Sequence, residues 1–306
     1  MEWTSLTRLP VKAQLYGWET YFREGLADAR LVLGEHLASA LWHAALLVIK
    51  GDGLVSGKAT TIVDFLRTRG FAIVAVELPA LTRFQWRELW RYQLAAASLD
   101  RLAVNDLILR NRMLLLLLRH EGPLDVPASV WLGSLKGPAD VALQPPDCLR
   151  RRLAQPNRLF SAFHVADEPA DLLRELAILF DVPARRRLLS VLAGPHRLSP
   201  AEQQVLDETL AASDRSARAL DAQASLDRLE RVMRDVPGEA AARVRTDLAT
   251  MRRGEPIAWR PFTDAVSATA IDVDRWDLAT LGATFVVHDE PGMSKLIGNV
   301  DASAWR

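Results

Sequence analysis

The chain has 306 residues, of which 49% are hydrophobic and 25% charged, so there is enough apolar material for one large domain or two modest ones. Lysine plus arginine and aspartate plus glutamate both number 38, and this balance gives no reason to expect nucleic-acid or membrane partners. The single cysteine, Cys148, excludes an internal disulfide and a cysteine-built zinc site. No signal peptide is visible and the longest apolar runs are far shorter than a membrane span, so we expect a soluble, cytoplasmic protein.

The first part of the chain predicts a helical extension followed by the start of a sheet. Residues 1–42 show mixed helical spacing of apolar residues among charges, which favours a helical N-terminal extension that packs on the next domain. Ala44–Ile49 is a short apolar run that ends in a glycine-rich turn, as expected of a buried strand. A helix over Ala59–Arg69, closed by Gly70, leads to a second strand over Phe71–Leu78.

The middle of the chain, residues 43–182, is predicted to form the main domain. Further elements are expected, in order, as helices over Thr82–Ala97 and Leu99–Arg119, strands over Ala128–Leu132 and Phe160–His164, and a helix over Ala170–Phe180 that Asp167 caps. With the two earlier strands, this order predicts an α+β fold, a ferredoxin-like βαββαβ sandwich with extra helices.

The sequence changes in character near residue 182. Residues 183–306 are expected to form a mainly helical C-terminal domain with a few strands, placed at Ile257–Trp259 and Thr284–His288. Trp259, Trp276 and Trp305 lie in this part, where core packing is favoured over stacking on a ligand.

The loop after the first strand has the composition of a phosphate-binding turn. A glycine-rich turn between a strand and a helix directs backbone N–H groups at one point, and a lysine adds positive charge. A Walker A loop would need glycine at position 52 and serine or threonine at position 59, whereas the chain has Asp52 and Ala59. That kind of loop is therefore not favoured.

Four segments, in the correct order, resemble another family, the nucleoside diphosphate kinases. They are Ile49-Lys50-Gly51-Asp52-Gly53-Leu54, Gly122-Pro123 before Val130-Trp131, Phe163-His164-Val165-Ala166-Asp167, and the apolar helix that carries Glu175. Glu175 stands eleven residues after His164, as the matching glutamate does in that family. The resemblance covers about residues 44–180.

The resemblance implies a phosphoryl-transfer site. His164 corresponds to the histidine that attacks the γ-phosphorus of a nucleoside triphosphate such as ATP or GTP, and Glu175 to the glutamate that orients it. Lys50, with Mg²⁺, would offset charge on the phosphoryl group. Asp52 corresponds to a structural aspartate of the loop, and Asp167 completes the histidine motif.

Other matches leave alternatives open. Arg151 best matches the arginine that grips the phosphates, although Arg150 or Arg152 would match if the alignment slips. The family's tyrosine beside the histidine corresponds to Tyr92 by residue type and to Trp90 by count. A separate departure concerns an asparagine of the family shortly before the histidine, where this chain has Ser161.

The departures affect the nucleobase contacts. No aromatic residue occurs in residues 93–121, where the family has a phenylalanine that stacks on the base, and the segment between Trp131 and His164 is several residues short. We therefore expect either a phosphotransferase with an atypical small-molecule acceptor, or a catalytically eroded nucleotide-binding or regulatory module. In a third hypothesis the C-terminal region supplies the missing contacts. The family also implies homo-oligomers, although the shortened segment is where its subunits join.

Overall fold

Residues 2–306 are described by a computed structural model, which shows an α+β fold with one four-stranded sheet. The strands are β1 (Ala44–Ile49), β2 (Phe71–Glu77), β3 (Leu114–His120) and β4 (Phe163–Val165). The helices of the first half are α1 (Pro10–Trp18), α2 (Thr20–Leu33), α3 (Leu37–His43), α4 (Gly51–Val55), α5 (Ala59–Thr68), α6 (Arg83–Leu89), α7 (Leu99–Leu109), α8 (Ala128–Lys136) and α9 (Leu149–Arg152). Those of the second half are α10 (Pro169–Leu179), α11 (Val182–Ser190), α12 (Pro200–Arg215), α13 (Ala222–Met233), α14 (Glu239–Arg252), α15 (Trp259–Ala268) and α16 (Arg275–Phe285).

The sheet has the strand order β2-β3-β1-β4, and every neighbouring pair is antiparallel. All six residues of β1 are buried because helices cover both faces of the sheet. Side chains alternate between the faces, so Leu46 and Val48 join one apolar cluster while Leu47 and Ile49 join another. Val48 lies opposite His164 on β4, which places the histidine beside the central strand.

The third strand is not where the sequence predicted it. Ala128–Leu132, predicted as a strand, lies in α8, and the predicted helix Leu99–Arg119 is divided into α7 and β3. A continuous apolar run has no periodicity that separates a strand from a buried helix, and leucine by itself favours a helix. The run of leucines in β3 is a strand because it lies between β1 and β2 and is buried on both faces.

Several element boundaries also differ from the prediction. The predicted helix Thr82–Ala97 is α6 followed by turns and a short 3₁₀ helix, and the glycine-rich turn after β1 is the short helix α4. Asp167 is not the cap of α10, because Glu168 takes that position with Pro169 as the first helical residue. The predicted C-terminal strands are wrong, since α15 begins at Trp259 and α16 continues to Phe285.

The N-terminal and C-terminal parts share a core with the sheet. One apolar cluster contains Phe22 of α2, Leu46 of β1 and Phe262 of α15. Gly282 of α16 packs so closely on α7 that an added Cβ would lie 2.6 Å from a methyl group of Val104. The predicted divisions after residues 42 and 182 stay predictions. Within residues 2–306, the helices are too short or too polar to cross a membrane.

Candidate functional site

The loop between β1 and α5 is held against the residue that precedes β4. The backbone N–H of Lys50 donates to the carbonyl of Ala162 at 2.8 Å, and the N–H of Ala162 donates to Oδ2 of Asp52 at 2.8 Å. Ala162 has a φ of 61°, a left-handed conformation that costs a non-glycine residue about 1–2 kcal/mol. Gly53 is required there, because an added Cβ would lie 2.3 Å from the Ala162 carbonyl oxygen. Asp52 therefore helps to fix the start of β4 two residues before the histidine.

Both ring nitrogens of His164 have hydrogen-bond partners. Nε2 lies 2.8 Å from Oε1 of Glu175, and Nδ1 lies 3.3 Å from the indole Nε1 of Trp90. An indole nitrogen can only donate and an ionised carboxylate can only accept, so one neutral tautomer satisfies both bonds. In that tautomer Nε2 carries the proton, and Nδ1 presents its lone pair towards Trp90.

Glu175 is a buried carboxylate whose side chain bonds to His164. It lies on α10 and is 5% exposed. Its second oxygen, Oε2, is buried and has no hydrogen-bond partner within residues 2–306. The carboxylate therefore directs its only side-chain hydrogen bond to His164, which fixes the orientation of the imidazole.

The ammonium group of Lys50 is buried next to the loop. Nζ donates to the carbonyl of Leu159 at 3.0 Å and lies 3.4 Å from Oδ1 of Asp52. Burial lowers the pKa of Lys50, although the neighbouring Asp52 opposes this change. An ammonium has three donors, and Leu159 accepts from one of them, so donor capacity remains for a ligand.

A cavity of about 180 Å³ opens beside these groups. Trp90 and His164 lie on its wall. Five cationic side chains also line it: Lys50, Arg101, Arg150, Arg158 and Lys295. This concentration of positive charge favours an anionic ligand.

The cations that line the cavity outnumber the carboxylates that pair with them in residues 2–306. Asp289 is shared by Arg101 and Arg158, at 2.6 and 2.7 Å. Within the described part of the chain, no carboxylate oxygen lies within 4.0 Å of a side-chain nitrogen of Arg150 or Lys295. Arg150 donates instead to the carbonyl of Gly137 at 2.8 Å, and burial lowers the pKa of its guanidinium.

Most, but not all, of the predicted site residues meet at this place. Lys50, Arg150, Ser161 and His164 line the cavity. Glu175 lies against the histidine without lining the cavity.

Two of the sequence matches, the arginine and the aromatic residue, differ from the first choice or were left open, and the structure has the following arrangement. Arg151, the first choice for the phosphate-gripping arginine, is exposed outside the cavity, and Arg150 lies in it instead. The hydroxyl of Tyr92 donates to Glu19, away from the cavity, while Trp90 is the aromatic residue that contacts the histidine. At the aromatic position the residue beside the histidine is therefore Trp90, the match by count, whereas at the arginine position the match by count, Arg151, lies outside the cavity.

Asp167 forms an ion pair with Lys136 on α8 rather than contacting the histidine. Burial would raise the pKa of this carboxyl, but the Lys136 ammonium outweighs burial and lowers the pKa to about 2. Asp167 therefore joins α8 to the end of β4.

Sequence reasoning missed three cavity residues, Arg101, Arg158 and Lys295. They come from α7, from the loop before β4 and from the segment after α16. No local motif marks them, because their common feature is convergence in space.

A resident metal centre is not built into this region. Residues 2–306 contain no group of three or more histidine, cysteine, aspartate or glutamate side chains that could hold a metal ion.

Comparisons with known proteins give partial similarities. No protein-family model matches the chain. Thioredoxin domain-containing protein 6 of Mus musculus is 28% identical over 182 residues, which make up 58% of this chain and 52% of that protein. The Homo sapiens protein of the same name is 28% identical over 149 residues, covering 48% and 44% of the two chains. The chain thus spans about half the length of the curated relatives it matches.

Among solved structures, the chain is similar to nucleoside diphosphate kinases. That of Aquifex aeolicus has a TM-score of 0.37 and 19% identity, covering 45% of this chain and 95% of that one. The enzyme of Halobacterium salinarum in complex with CDP has a TM-score of 0.38 and 19% identity, covering 45% and 87%. A family protein from Babesia bovis has a TM-score of 0.39 and 16% identity, covering 47% and 90%.

Proposed function

We propose that the protein transfers the γ-phosphoryl group of a nucleoside triphosphate, through a phosphohistidine at His164, to a small-molecule acceptor. The observation that carries this proposal is the position of His164. Glu175 holds its Nε2, Trp90 donates to its Nδ1, and His164 lies on the wall of a cavity lined by five cationic side chains. A nucleophile oriented by a carboxylate beside an anion-binding cavity is the arrangement that phosphoryl transfer requires.

The topology supports a nucleoside diphosphate kinase-like, ferredoxin-like sandwich as the fold of the central region. The strands β1 and β2 are joined through α5 and have β3 between them, while β4 completes the sheet beside β1. This strand order is the one expected of a split βαβ arrangement in a ferredoxin-like sandwich, which supports the proposal. His164 pairs with Val48 near the end of β1, close to where the loop that carries Lys50 begins, and this also supports it.

The chemical step uses the lone pair of Nδ1. A bond forms between Nδ1 and the γ-phosphorus as the bond from that phosphorus to the bridging oxygen breaks, and the electron pair leaves with the nucleoside diphosphate. The ring keeps its proton on Nε2 and becomes positively charged, so the carboxylate of Glu175 stabilises it. An oxygen of the acceptor then attacks the same phosphorus and regenerates the neutral histidine.

Charge on the transferring group is offset by side chains that are already in place. Lys50 and Arg150 lie on the cavity wall with His164, and burial strengthens their interaction with an anion. A magnesium ion carried by the nucleotide would supply further positive charge to the phosphates.

The proposal is tested by incubation with Mg²⁺ and γ-labelled ATP or GTP, followed by a search for acid-labile, base-stable label. We expect label on the native protein and none on His164→Asn. The exposed His36 offers a matched control, because His36→Asn should be labelled normally. A native protein that takes up no label from ATP, GTP, CTP or UTP would contradict the proposal.

One observation favours a second candidate, a nucleotide-binding module that does not turn over. The indole N–H of Trp90 occupies the lone pair that must attack phosphorus. This candidate requires that nucleotide binds without labelling in the native protein.

Trp90→Phe separates the two candidates further. It removes the N–H donor and keeps an aromatic ring on the histidine. If Trp90 blocks Nδ1, the variant should gain label that the native protein lacks. If Trp90 moves aside during normal transfer, both proteins should be labelled.

A further inference from the structure

The segment that follows α16 contributes Lys295 to the lining of the cavity. We refer to residues 287–296 as the strap. We propose that the strap completes a second anion site, in which Lys295, Arg101 and Arg158 bind the phosphate chain of a triphosphate ligand whatever its base. The inference rests on the proposed function in that His164 takes the terminal phosphoryl group of the same ligand.

Backbone hydrogen bonds hold the strap along the segment that follows Trp90. The N–H of Ser98 donates to the carbonyl of His288 at 3.1 Å, and the N–H of Glu290 donates to the carbonyl of Ala96 at 2.8 Å. Further along, the N–H of Leu296 donates to the carbonyl of Tyr92 at 2.9 Å. The strap is therefore attached on both sides of Asp289, and its last bond places Lys295 next to the cavity.

The three cations come from separate parts of the chain and meet with only one carboxylate among them. Asp289 of the strap pairs with both Arg101 and Arg158, which leaves Lys295 without a carboxylate within 4.0 Å in the described residues. The pKa of Lys295 is lowered by burial and by these two arginines, so the cations repel one another. A bound anion would relieve this repulsion.

The charges are arranged for an extended anion. Lys50 and Arg150 lie close enough for Arg150 to lower the pKa of Lys50, after the larger effect of burial. Lys295, Arg101 and Arg158 form another group in the lining of the same cavity. A single phosphate presents one anionic group to these cations, whereas a chain of three phosphates presents several, so we infer that the chain engages both groups.

The size of the cavity argues that the base is not enclosed. About 180 Å³ is small for a whole nucleotide, given that pockets enclosing drug-sized ligands occupy roughly 300–1,000 Å³. The phosphate chain would be inside and the nucleoside outside. The ligand class is then any linear triphosphate, including inorganic tripolyphosphate.

Calorimetric titration with inorganic tripolyphosphate, ATP and inorganic phosphate, without Mg²⁺ so that transfer does not interfere, tests this inference. We expect tripolyphosphate and ATP to bind with affinities within a few-fold of each other, and phosphate much more weakly. Lys295→Gln and Arg158→Gln should each weaken tripolyphosphate binding about tenfold, the size of one lost charged hydrogen bond. Lys295→Arg should retain binding, and Arg151→Gln, at an exposed arginine outside the cavity, should be neutral.

A measurement on the native protein guards against variants that fold poorly. Lys295 should be protected from acylation by saturating tripolyphosphate, as read by mass spectrometry. Unprotected Lys295, or glutamine variants that bind as the native protein does, would overturn the second site. ATP binding that tripolyphosphate cannot match would overturn the base-indifferent ligand class. A protein that binds tripolyphosphate but forms no phosphohistidine would instead contradict the proposed function and leave the second site standing.

Discussion

Two charged regions, the cavity of the candidate site and a cluster beside it on α10, differ in whether each cation has a carboxylate partner. At the start of α10, Lys12 lies 2.9 Å from Glu168 and 2.6 Å from Asp171, and Arg174 donates to Glu19 at 2.7 Å. We call this region the α10 seam. All five side chains are buried, and each cation has a carboxylate partner. In the cavity, by contrast, Arg150 and Lys295 have no such partner in residues 2–306.

The difference teaches which charges support the fold and which are available to a ligand. A buried ion must be paired, because the loss of hydration costs several kcal/mol per ion. The seam meets this requirement within the chain and joins α1 and α2 to α10, next to Glu175. In the cavity, Arg150 is half-buried and Lys295 is exposed, so water can solvate these cations and they stay available to an anion from solution.

The largest expected effect is at the cavity. His164→Asn removes the lone pair of Nδ1 and should abolish phosphohistidine formation completely. It should also lower the unfolding temperature, because buried Glu175 loses its only side-chain hydrogen bond. Labelling with γ-labelled ATP and thermal unfolding measure the two quantities. Label that persists in this variant would show that another residue accepts the phosphoryl group.

At the seam, the expected effect is on stability. Arg174→Ala leaves Glu19 without its guanidinium partner and removes donors to the carbonyls of Leu89 and Glu88, so we expect a loss of about 3–5 kcal/mol in the free energy of unfolding. Lys295→Gln, at an exposed cavity lysine, should change it by less than about 0.5 kcal/mol. Urea denaturation of both variants tests the comparison, and equal losses would contradict it.

A smaller effect is expected where the two regions meet. Glu175→Gln keeps an oxygen that can accept from Nε2 of His164 but loses the negative charge that stabilises the phosphorylated ring. The rate of labelling should fall about 100-fold, a size typical of one lost electrostatic contact. Single-turnover labelling measures it, and a variant as fast as the native protein would remove Glu175 from the mechanism.

The smallest effect concerns the ion pair of Asp167 and Lys136. The pKa of Asp167 is about 2 in the folded protein and 3.8 ordinarily, so the pair stabilises the fold above pH 3.8 and loses this effect as the pH falls towards 2. Asp167→Asn should therefore be less stable than the native protein at neutral pH, and the gap should close between those two values. Because the carboxylate is partly exposed, we expect a modest gap in acid unfolding curves. A gap that does not depend on pH would contradict the assignment.

Local and non-local features differ in how far the sequence predicts them. His164, Glu175 and Lys50 are recognisable because they lie in short segments with fixed spacing, and the structure brings all three together. The first two strands are likewise close to their predicted positions. β3 was predicted as part of a helix, because its burial depends on two partner strands that a local pattern does not contain.

The cavity cations are the part of the site that the sequence predicts least well. Nothing in the sequence around Arg101, Arg158 or Lys295 indicates that they meet, and the neutral total charge conceals the local excess. The identity of the aromatic residue at the histidine was also undecided between Trp90 and Tyr92. Only the path of the chain after α6 places the indole on the imidazole.

The strap also has a consequence for the order in which the site is assembled during synthesis. The sheet, His164 and Glu175 leave the ribosome well before residues 287–296, and chains generally begin to fold from the part made first. A nascent chain could therefore hold an oriented histidine while its cavity still lacks Lys295 and Asp289. If the strap completes the second anion site, tight binding of a phosphate chain begins only after the strap has docked. Binding of a phosphate chain would then show that residues 287–296 had already been synthesised.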